Sequence, residues 1–167
     1  MFVPSLCLLN IPYVKMNRFK EVAKLNFVWW FEIHGKISTS KLSLDTNYAA
    51  YLVFKLLEEA FGFDSHPAEL SLTLGVDKIC TKSVFLDPMI ERPRGRRLRR
   101  WYESGFINHS VMSSLERPKE RADGWFESEL GEFFNGGDQE SELLMIIKTE
   151  GKVCLIILGI EIRPKKE

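Results

Sequence analysis

The sequence lacks the features that direct a protein to a membrane, to nucleic acid or out of the cell. Its net charge is zero, because 23 lysines and arginines balance 23 aspartates and glutamates. A neutral chain has no overall field to attract nucleic acid or anionic lipid, so neither partner is expected. No apolar run reaches the ~18 residues of a membrane span, and no basic residue precedes the apolar start as in a secretory signal. We therefore predict a soluble, intracellular protein.

Cysteine is scarce and poorly placed for crosslinks or metal. The three cysteines, Cys7, Cys80 and Cys154, are odd in number and far apart. None forms the closely spaced pair that is typical of zinc sites. Free thiols in a reducing compartment are the simplest interpretation, and no metal is expected.

Catalytic signatures are missing as well. The chain has no P-loop, no G-x-G-x-x-G, no H-E-x-x-H and no G-x-S-x-G, and its three histidines accompany no nucleophile motif. Glu127 and Glu129 alternate on one predicted strand and could imitate a glycosidase pair, but two outward glutamates on a half-buried strand explain them more simply. We expect no catalytic residue, no cofactor and no enzymatic activity.

The dominant pattern is an alternation of apolar and polar residues, which indicates β-strands. It places Phe27, Trp29, Phe31 and Ile33 on one face and Val28, Trp30, Glu32 and His34 on the other; Gly35 then breaks the run, and Lys36 and Ile37 continue it. Further strands are predicted at 48–57, 76–86, 125–130, 143–148 and 153–162, the last two joined by a turn at 149–151. Ile79, Val84 and Phe85 are expected to point inward.

Helical signals are few. Asn17 could cap a short helix with Phe19, Val22, Ala23 and Leu25 on one face, and 55–61 is a second candidate. Short strands separated by turns, with so little helix, predict an all-β fold, most simply an antiparallel β-sandwich.

A long basic loop interrupts this pattern between about Pro88 and Gly124. Its arginine cluster could act as a nuclear-import signal, for which the candidate residues are Arg96, Arg97, Arg99 and Arg100. The alternative is a solvated loop without a specific role. An acidic stretch that follows, from Glu127 to Glu142, argues against general nucleic-acid binding.

Trp30 is the most informative single residue. An aromatic ring beside the polar Glu32 and His34 can stack on the apolar face of a sugar while the neighbours bind its hydroxyls. The alternative is that Trp30 covers one side of the core. Trp125, which follows the Asp123-Gly124 turn, is expected to anchor its strand in the core.

Four blocks in this order resemble the phloem protein 2 domain of plants, the Nictaba-related lectin domain. The blocks are WFEIHGKI (30–37), TNYAAYLVFKL (46–56), DGWFESELGEFF (123–134) and GIEIRP (159–164). RFKEVAKL (18–25) is similar to the stretch that leads into the domain. The version resembled most is that of the F-box/phloem protein 2 B group. This resemblance divides the chain into an atypical N-terminal segment, 1–17, and a lectin-like domain, 18–167.

The resemblance implies a jelly-roll-like lectin domain that binds N-acetylglucosamine oligomers or N-glycan cores in the cytoplasm and nucleus. Trp30, Glu140 and Glu142 are the candidate sugar-facing residues. In the group with an F-box, that module docks a Skp-type adaptor, and the lectin-like domain selects targets for a ubiquitin ligase. An alternative function is therefore a protein-interaction module whose F-box, and hence whose adaptor, would belong to a longer form.

The sequence departs from the family at several positions. The N-terminal segment has no tryptophan where family members carry sugar-binding ones, Ser141 and Lys148 stand at the positions of two glutamates, and Gly151 stands near a usual tryptophan. The first strand of the sandwich is expected to be missing. An uncovered edge would lower stability or pair with a second copy to give a homodimer.

Overall fold

Antiparallel strands form most of the residues that the computed structural model describes, which are 5–8, 13–16, 19–56, 67–88, 116–137 and 140–165. Within these residues the only helical element is a 3-10 turn at Thr39–Lys41. The strands are β1 (Ser5–Leu8), β2 (Tyr13–Met16), β3 (Phe19–Ser38), β4 (Thr46–Leu56), β5 (Ala68–Leu74), β6 (Asp77–Val84), β7 (Lys119–Glu120), β8 (Phe126–Asn135) and β9 (Glu142–Pro164).

Two long strands, β3 and β9, run through both layers of the sandwich and pair with each other from Ala23–Ile157 to Ser38–Glu142. The first half of β3 and the second half of β9 lie in sheet A, with β2, β4, β8 and β7. Their other halves lie in sheet B, with β1, β5 and β6. Irregular pairing between Leu25 and Trp30 separates the two halves of β3. Such bulges bend a strand, which lets one strand serve two sheets.

The main core lies between the sheets and is built from their inner faces. Its members from sheet A include Leu25, Leu52, Phe54, Leu130 and Ile160, and those from sheet B include Phe31, Ile33, Leu70, Leu72, Met145 and Ile147. A second, smaller cluster lies on the outer face of sheet A, where Trp125 covers Val22, Val53 and Ile156.

The sheets approach each other closely at Gly131 of β8. Pairing shifts there, because Ala50 of β4 faces Gly131 and Tyr51 faces Glu129, so Leu130 is an extra residue. A Cβ on Gly131 would lie 3.3 Å from both Cys80 Cβ of β6 and Leu72 Cδ2 of β5. The absence of a side chain at Gly131 therefore allows the close packing of β8 on the opposite sheet.

The structure confirms the predicted all-β antiparallel sandwich and corrects several local predictions. The predicted helix at 17–25 is wrong, since Phe19–Leu25 is part of β3. Val22 joins the outer cluster and Ala23 and Leu25 join the main core, so these apolar residues serve both faces of a strand. The first residues of the second candidate helix belong to β4, and its remainder lies outside the described residues.

The predicted breaks at Gly35 and at 149–151 are also wrong. Gly35 lies within β3, and β9 continues without a turn from Glu142 to Pro164. Inward packing is confirmed for Val84 and Phe85. It is wrong for Ile79, which is exposed, because Cys80 takes the inward position opposite Leu72.

The edge of β3 that was expected to be uncovered is paired with two strands from the N-terminal segment. Ser5–Leu8 pairs with the stretch from Lys36 to Ile33, and Tyr13–Met16 pairs with the first residues of β3. The backbone of β3 therefore has a strand on both sides at Ala23 and from Ile33 to Lys36. The proposed boundary at residue 18 stays a prediction.

Candidate functional site

Trp30 lies on the outer face of sheet B and is 60% exposed. The strand alternates strictly beyond it, with Phe31 and Ile33 buried in the core and Glu32 and His34 on the outer face with Trp30. This alternation agrees with the sequence-based prediction. An indole held on a rigid strand and open to solvent offers a flat apolar surface to a ligand.

Charged and polar side chains surround this ring on the same face. Glu32 forms a short hydrogen bond with His34, and Lys148 Nζ of β9 lies 3.6 Å from Glu32 Oε1. The hydrogen bond from His34, with a smaller effect of the Lys148 charge, holds the pKa of Glu32 below its usual value. Register places Glu69 of β5 opposite Lys148. We call Trp30, Glu32, His34 and Lys148 the tryptophan face.

A groove lies at one end of the sandwich, where turns from both sheets meet. This loop-end groove has a volume of about 360 Å³, and it is lined by Thr39, Leu74, Phe134, Asn135, Gly136, Gly137 and Ser141. The amide nitrogen of Asn135 donates to the carbonyl oxygens of Thr39, Leu42 and Ser43 at 3.0–3.4 Å. That side chain therefore fixes the 3-10 turn against the end of β8.

Glu140 and Glu142 flank the loop-end groove. Glu140 Oε1 accepts hydrogen bonds from the hydroxyls of Ser38 at 2.8 Å and Ser40 at 3.0 Å. These two bonds, that of Ser38 first, hold the pKa of Glu140 below its usual value. Glu142 pairs instead with Lys36 at 3.0 Å. Both carboxylates are exposed, and the lowered pKa of Glu140 keeps that group ionised at neutral pH.

The structure does not bring the three predicted sugar-facing residues together. Trp30 pairs with Glu150, whereas Ser38, at the groove, pairs with Glu142. Eight residues of extended β3 separate these pairs, which is roughly 26 Å at about 3.3 Å per residue. Trp30 therefore belongs to one candidate site, and Glu140 and Glu142 belong to another.

The outer face of sheet A carries an ion-pair cluster and not a carboxylate pair for glycoside chemistry. Arg163 donates to both oxygens of Glu127 at 3.0 Å and lies 3.9 Å above the ring of Tyr51. Arg121 joins Glu161 at 2.6 Å and Glu127 at 3.6 Å. The buried Trp125 packs beside this cluster, with Lys55 Nζ 5.0 Å from its ring centroid, as predicted for a core anchor.

The remaining predictions concern the arginine cluster, membrane spans and metal binding. Arg96, Arg97, Arg99 and Arg100 lie outside the described residues, and the import role stays a prediction. No helix in the described part of the chain has the length and hydropathy to span a bilayer. Across those same residues, no three His, Cys, Asp or Glu side chains converge as metal ligands would.

Sequence reasoning missed the groove residues, of which Phe134 is the most prominent. Phe133 is buried and Phe134 is 54% exposed, which is the alternation expected of a strand. That pattern could have identified an outward aromatic residue in β8. The convergence of turns around it depends on the sandwich topology, and no local signal predicts it.

Sequence comparison relates the chain to one plant family. The sequence profile of the phloem protein 2 family matches residues 9–164. F-box protein PP2-B15 of Arabidopsis thaliana is 39% identical over 160 residues, which cover 89% of this chain and 55% of the relative. Putative F-box protein PP2-B12 of the same plant is 43% identical over 154 residues, which cover 90% and 51%. The chain thus spans about half the length of these curated relatives.

Similarity to solved structures is weaker. TmCBM61, solved in complex with β-1,4-galactotriose, superposes with a TM-score of 0.44 and 9% identity over 98% of this chain and 90% of that one. The CBM22-1 xylan-binding domain of Paenibacillus barcinonensis Xyn10C gives 0.39 and 13% over 100% and 86%. The assignment rests on the sequence matches alone, and by these the chain belongs to the phloem protein 2 family.

Proposed function

We propose that the protein is a lectin-like domain that binds glycans containing N-acetylglucosamine on the tryptophan face. The observation that supports this most directly is the 60% exposure of Trp30 on a rigid strand. The exposed indole offers a flat apolar surface, and the C–H face of a pyranose suits it.

Polar groups beside the ring suit the rest of a sugar. The carboxylate of Glu32 can accept from hydroxyl or acetamido N–H groups, and the ammonium of Lys148 can donate to hydroxyl and carbonyl oxygens. Their mutual contact, 3.6 Å between Lys148 Nζ and Glu32 Oε1, joins them on the outer face, two residues along β3 from Trp30. Lys148 stands where the family has a glutamate, so this site would use a cation–carboxylate pair.

The arrangement supports binding and not turnover. Glu32 has a pKa below its usual value, which is the opposite of what a general acid requires. We therefore expect intact sugar to be recovered from the complex.

The decisive experiment is binding of purified protein to immobilised chitooligosaccharide, with elution by free chitooligosaccharide. We expect specific elution of the wild type, and a loss of affinity of about tenfold or more in Trp30→Ala, equivalent to ~1.4 kcal/mol. Trp30→Phe should retain part of the affinity because a smaller aromatic ring remains.

Phe134→Ala is the matched control, because it removes an exposed aromatic residue near the end of β8 in sheet A, at the loop-end groove and away from the tryptophan face. It should bind sugar as the wild type does. Folded wild-type protein that is not retained, or equal losses in Trp30→Ala and Phe134→Ala, would argue against the tryptophan face.

The second candidate is a target-recognition module that binds a polypeptide. It is favoured by the curated relatives, which are named F-box proteins and extend well beyond the region matched here. In a longer form an F-box could recruit a Skp-type adaptor, and this domain would choose the target. Binding to a target should then survive competition by chitooligosaccharide and deglycosylation of the target, whereas glycan-dependent binding should not.

A further inference from the structure

Three large apolar side chains are exposed around the loop-end groove, and each comes from a different part of the chain. Leu44, between the 3-10 turn and β4, is 62% exposed; Phe134, near the end of β8, is 54% exposed; and Val76, in the β5–β6 turn, is 96% exposed. Leu44 packs on Gly137 of the groove, where an added Cβ would lie 2.6 Å from Leu44 Cδ2. Convergent exposed apolar groups of this kind are typical of interaction sites.

The turns that carry these residues are tied together by backbone hydrogen bonds. Thr39 N–H donates to the Ser141 carbonyl at 2.9 Å, and Gly75 N–H donates to the Glu142 carbonyl at 2.9 Å. Asn135 binds the 3-10 turn from the other side. The groove is therefore pre-organised, and a ligand would not have to order its walls.

Polar groups lining the groove are largely engaged in holding these turns. The Asn135 amide nitrogen donates to three carbonyls, and Thr39 Oγ1 accepts from the Ser141 N–H at 3.1 Å. A sugar needs several free donors and acceptors in its site. Leu74 and the half-exposed Phe134 instead offer an apolar contact.

One charge at the groove has no cationic partner among the residues that the structure describes. Within the described residues the hydrogen-bond partners of Glu140 are the neutral hydroxyls of Ser38 and Ser40, and both act on Oε1. Glu142, on the other side of Ser141, already pairs with Lys36. A ligand that places a cation beside the groove would meet the free oxygen of Glu140.

We propose that the loop-end groove is a docking site for a polypeptide segment in which an apolar side chain lies next to a lysine or arginine. The apolar side chain occupies the groove between Leu74 and Phe134, and the cation pairs with Glu140. The proposal rests on the second candidate function, for which it supplies a surface, and it is separate from the glycan site on the tryptophan face.

The test uses the full chain, isotopically labelled, and two pools of short synthetic peptides. Both pools have a central Leu, Ile, Phe or Met; one flanks it with Lys and Arg, and the other with Asp and Glu. We expect the basic pool alone to shift the amide resonances of Phe134, Gly136, Gly137 and Ser141. Glu140→Gln should weaken this binding about fivefold, the upper range for an exposed ion pair, and Phe134→Ala should weaken it further.

Trp30→Ala is the control variant, because it lies at the other end of sheet B and should leave peptide binding unchanged. The proposal is overturned if both pools shift the groove resonances equally, if neither does at millimolar concentration, or if chitooligosaccharide shifts them instead. Basic peptides that bind elsewhere would overturn the site but leave the second candidate function intact. Glycan binding lost only in Trp30→Ala would leave both proposals standing.

Discussion

Glu127 and Arg163 form a two-pronged ion pair on the outer face of sheet A, with both N–O distances at 3.0 Å. The Glu127 side chain is only 14% exposed, so its charge depends on Arg163 and Arg121 for compensation. Both contacts come from one arginine nitrogen, Nη2, and such charge-assisted hydrogen bonds are stronger than neutral ones. Because Arg163 is about a third exposed, solvent screening reduces the benefit.

We expect Glu127→Gln to lower the free energy of unfolding by about 1–2 kcal/mol, because Arg163 loses its paired carboxylate and Arg121 loses one of its carboxylate neighbours while keeping Glu161. Urea denaturation with an unchanged m-value is the measurement. Glu129→Gln is the matched control on the same strand and face, and it should change stability by less than about 0.5 kcal/mol. Equal effects of the two substitutions would contradict a specific role for the Glu127–Arg163 pair.

At the scale of elements, the fit of β8 against β5 and β6 depends on a missing side chain. The Cβ of Gly131→Ala would meet Cys80 Cβ and Leu72 Cδ2 at 3.3 Å, closer than ordinary van der Waals contact. We expect a loss of stability of about 1–2 kcal/mol for Gly131→Ala and a greater loss for Gly131→Leu, since overpacking forces strands apart. Thermal unfolding of both variants measures this, and an unchanged melting temperature for Gly131→Leu would be the contrary result.

The elements also show how far sequence reasoning reaches. Alternation around Trp30 identified the strand, its inner face and its exposed ring, because the period of a strand is a local property. The helix predicted around Val22 and Leu25 is wrong. Both faces of sheet A bury apolar residues there, so the alternation of apolar and polar residues that identifies a strand is absent from this part of the sequence. The turn predicted at 149–151 is wrong because a glycine does not have to end a strand. It can also lie within a strand, where it often marks a bend.

The two candidate sites also differ in how far the sequence predicts them. Trp30 could be predicted as part of a sugar site because its strand alone exposes it. The groove could not, since Leu74, Phe134 and Ser141 come from separate parts of the chain that only the folded sandwich brings together. Glu140 was singled out from the sequence, but its partners, Ser38 and Ser40, are about one hundred residues away along the chain.

At the scale of the whole molecule, the first strands protect an edge. β1 and β2 pair with β3 along the side opposite β9. Deletion of residues 1–16 should expose the backbone donors and acceptors of β3, and such edges pair with other chains. We expect the truncated protein to melt at a lower temperature and to dimerise or aggregate, as measured by sedimentation velocity against the full chain at equal concentration. A truncated monomer of unchanged melting temperature would show that β1 and β2 contribute little.

Sharing β3 and β9 between the layers has a consequence for how the protein opens. In a sandwich whose sheets are made of separate strands, one layer can loosen while the other keeps its hydrogen bonds. Here the two longest strands belong to both layers. Disrupting their pairing in one sheet therefore also disturbs the hydrogen bonds of the other sheet. Amide protons in the centres of both sheets should therefore exchange through one common event, at the free energy of global unfolding. A ligand held at either end of β3 would slow that exchange throughout the molecule.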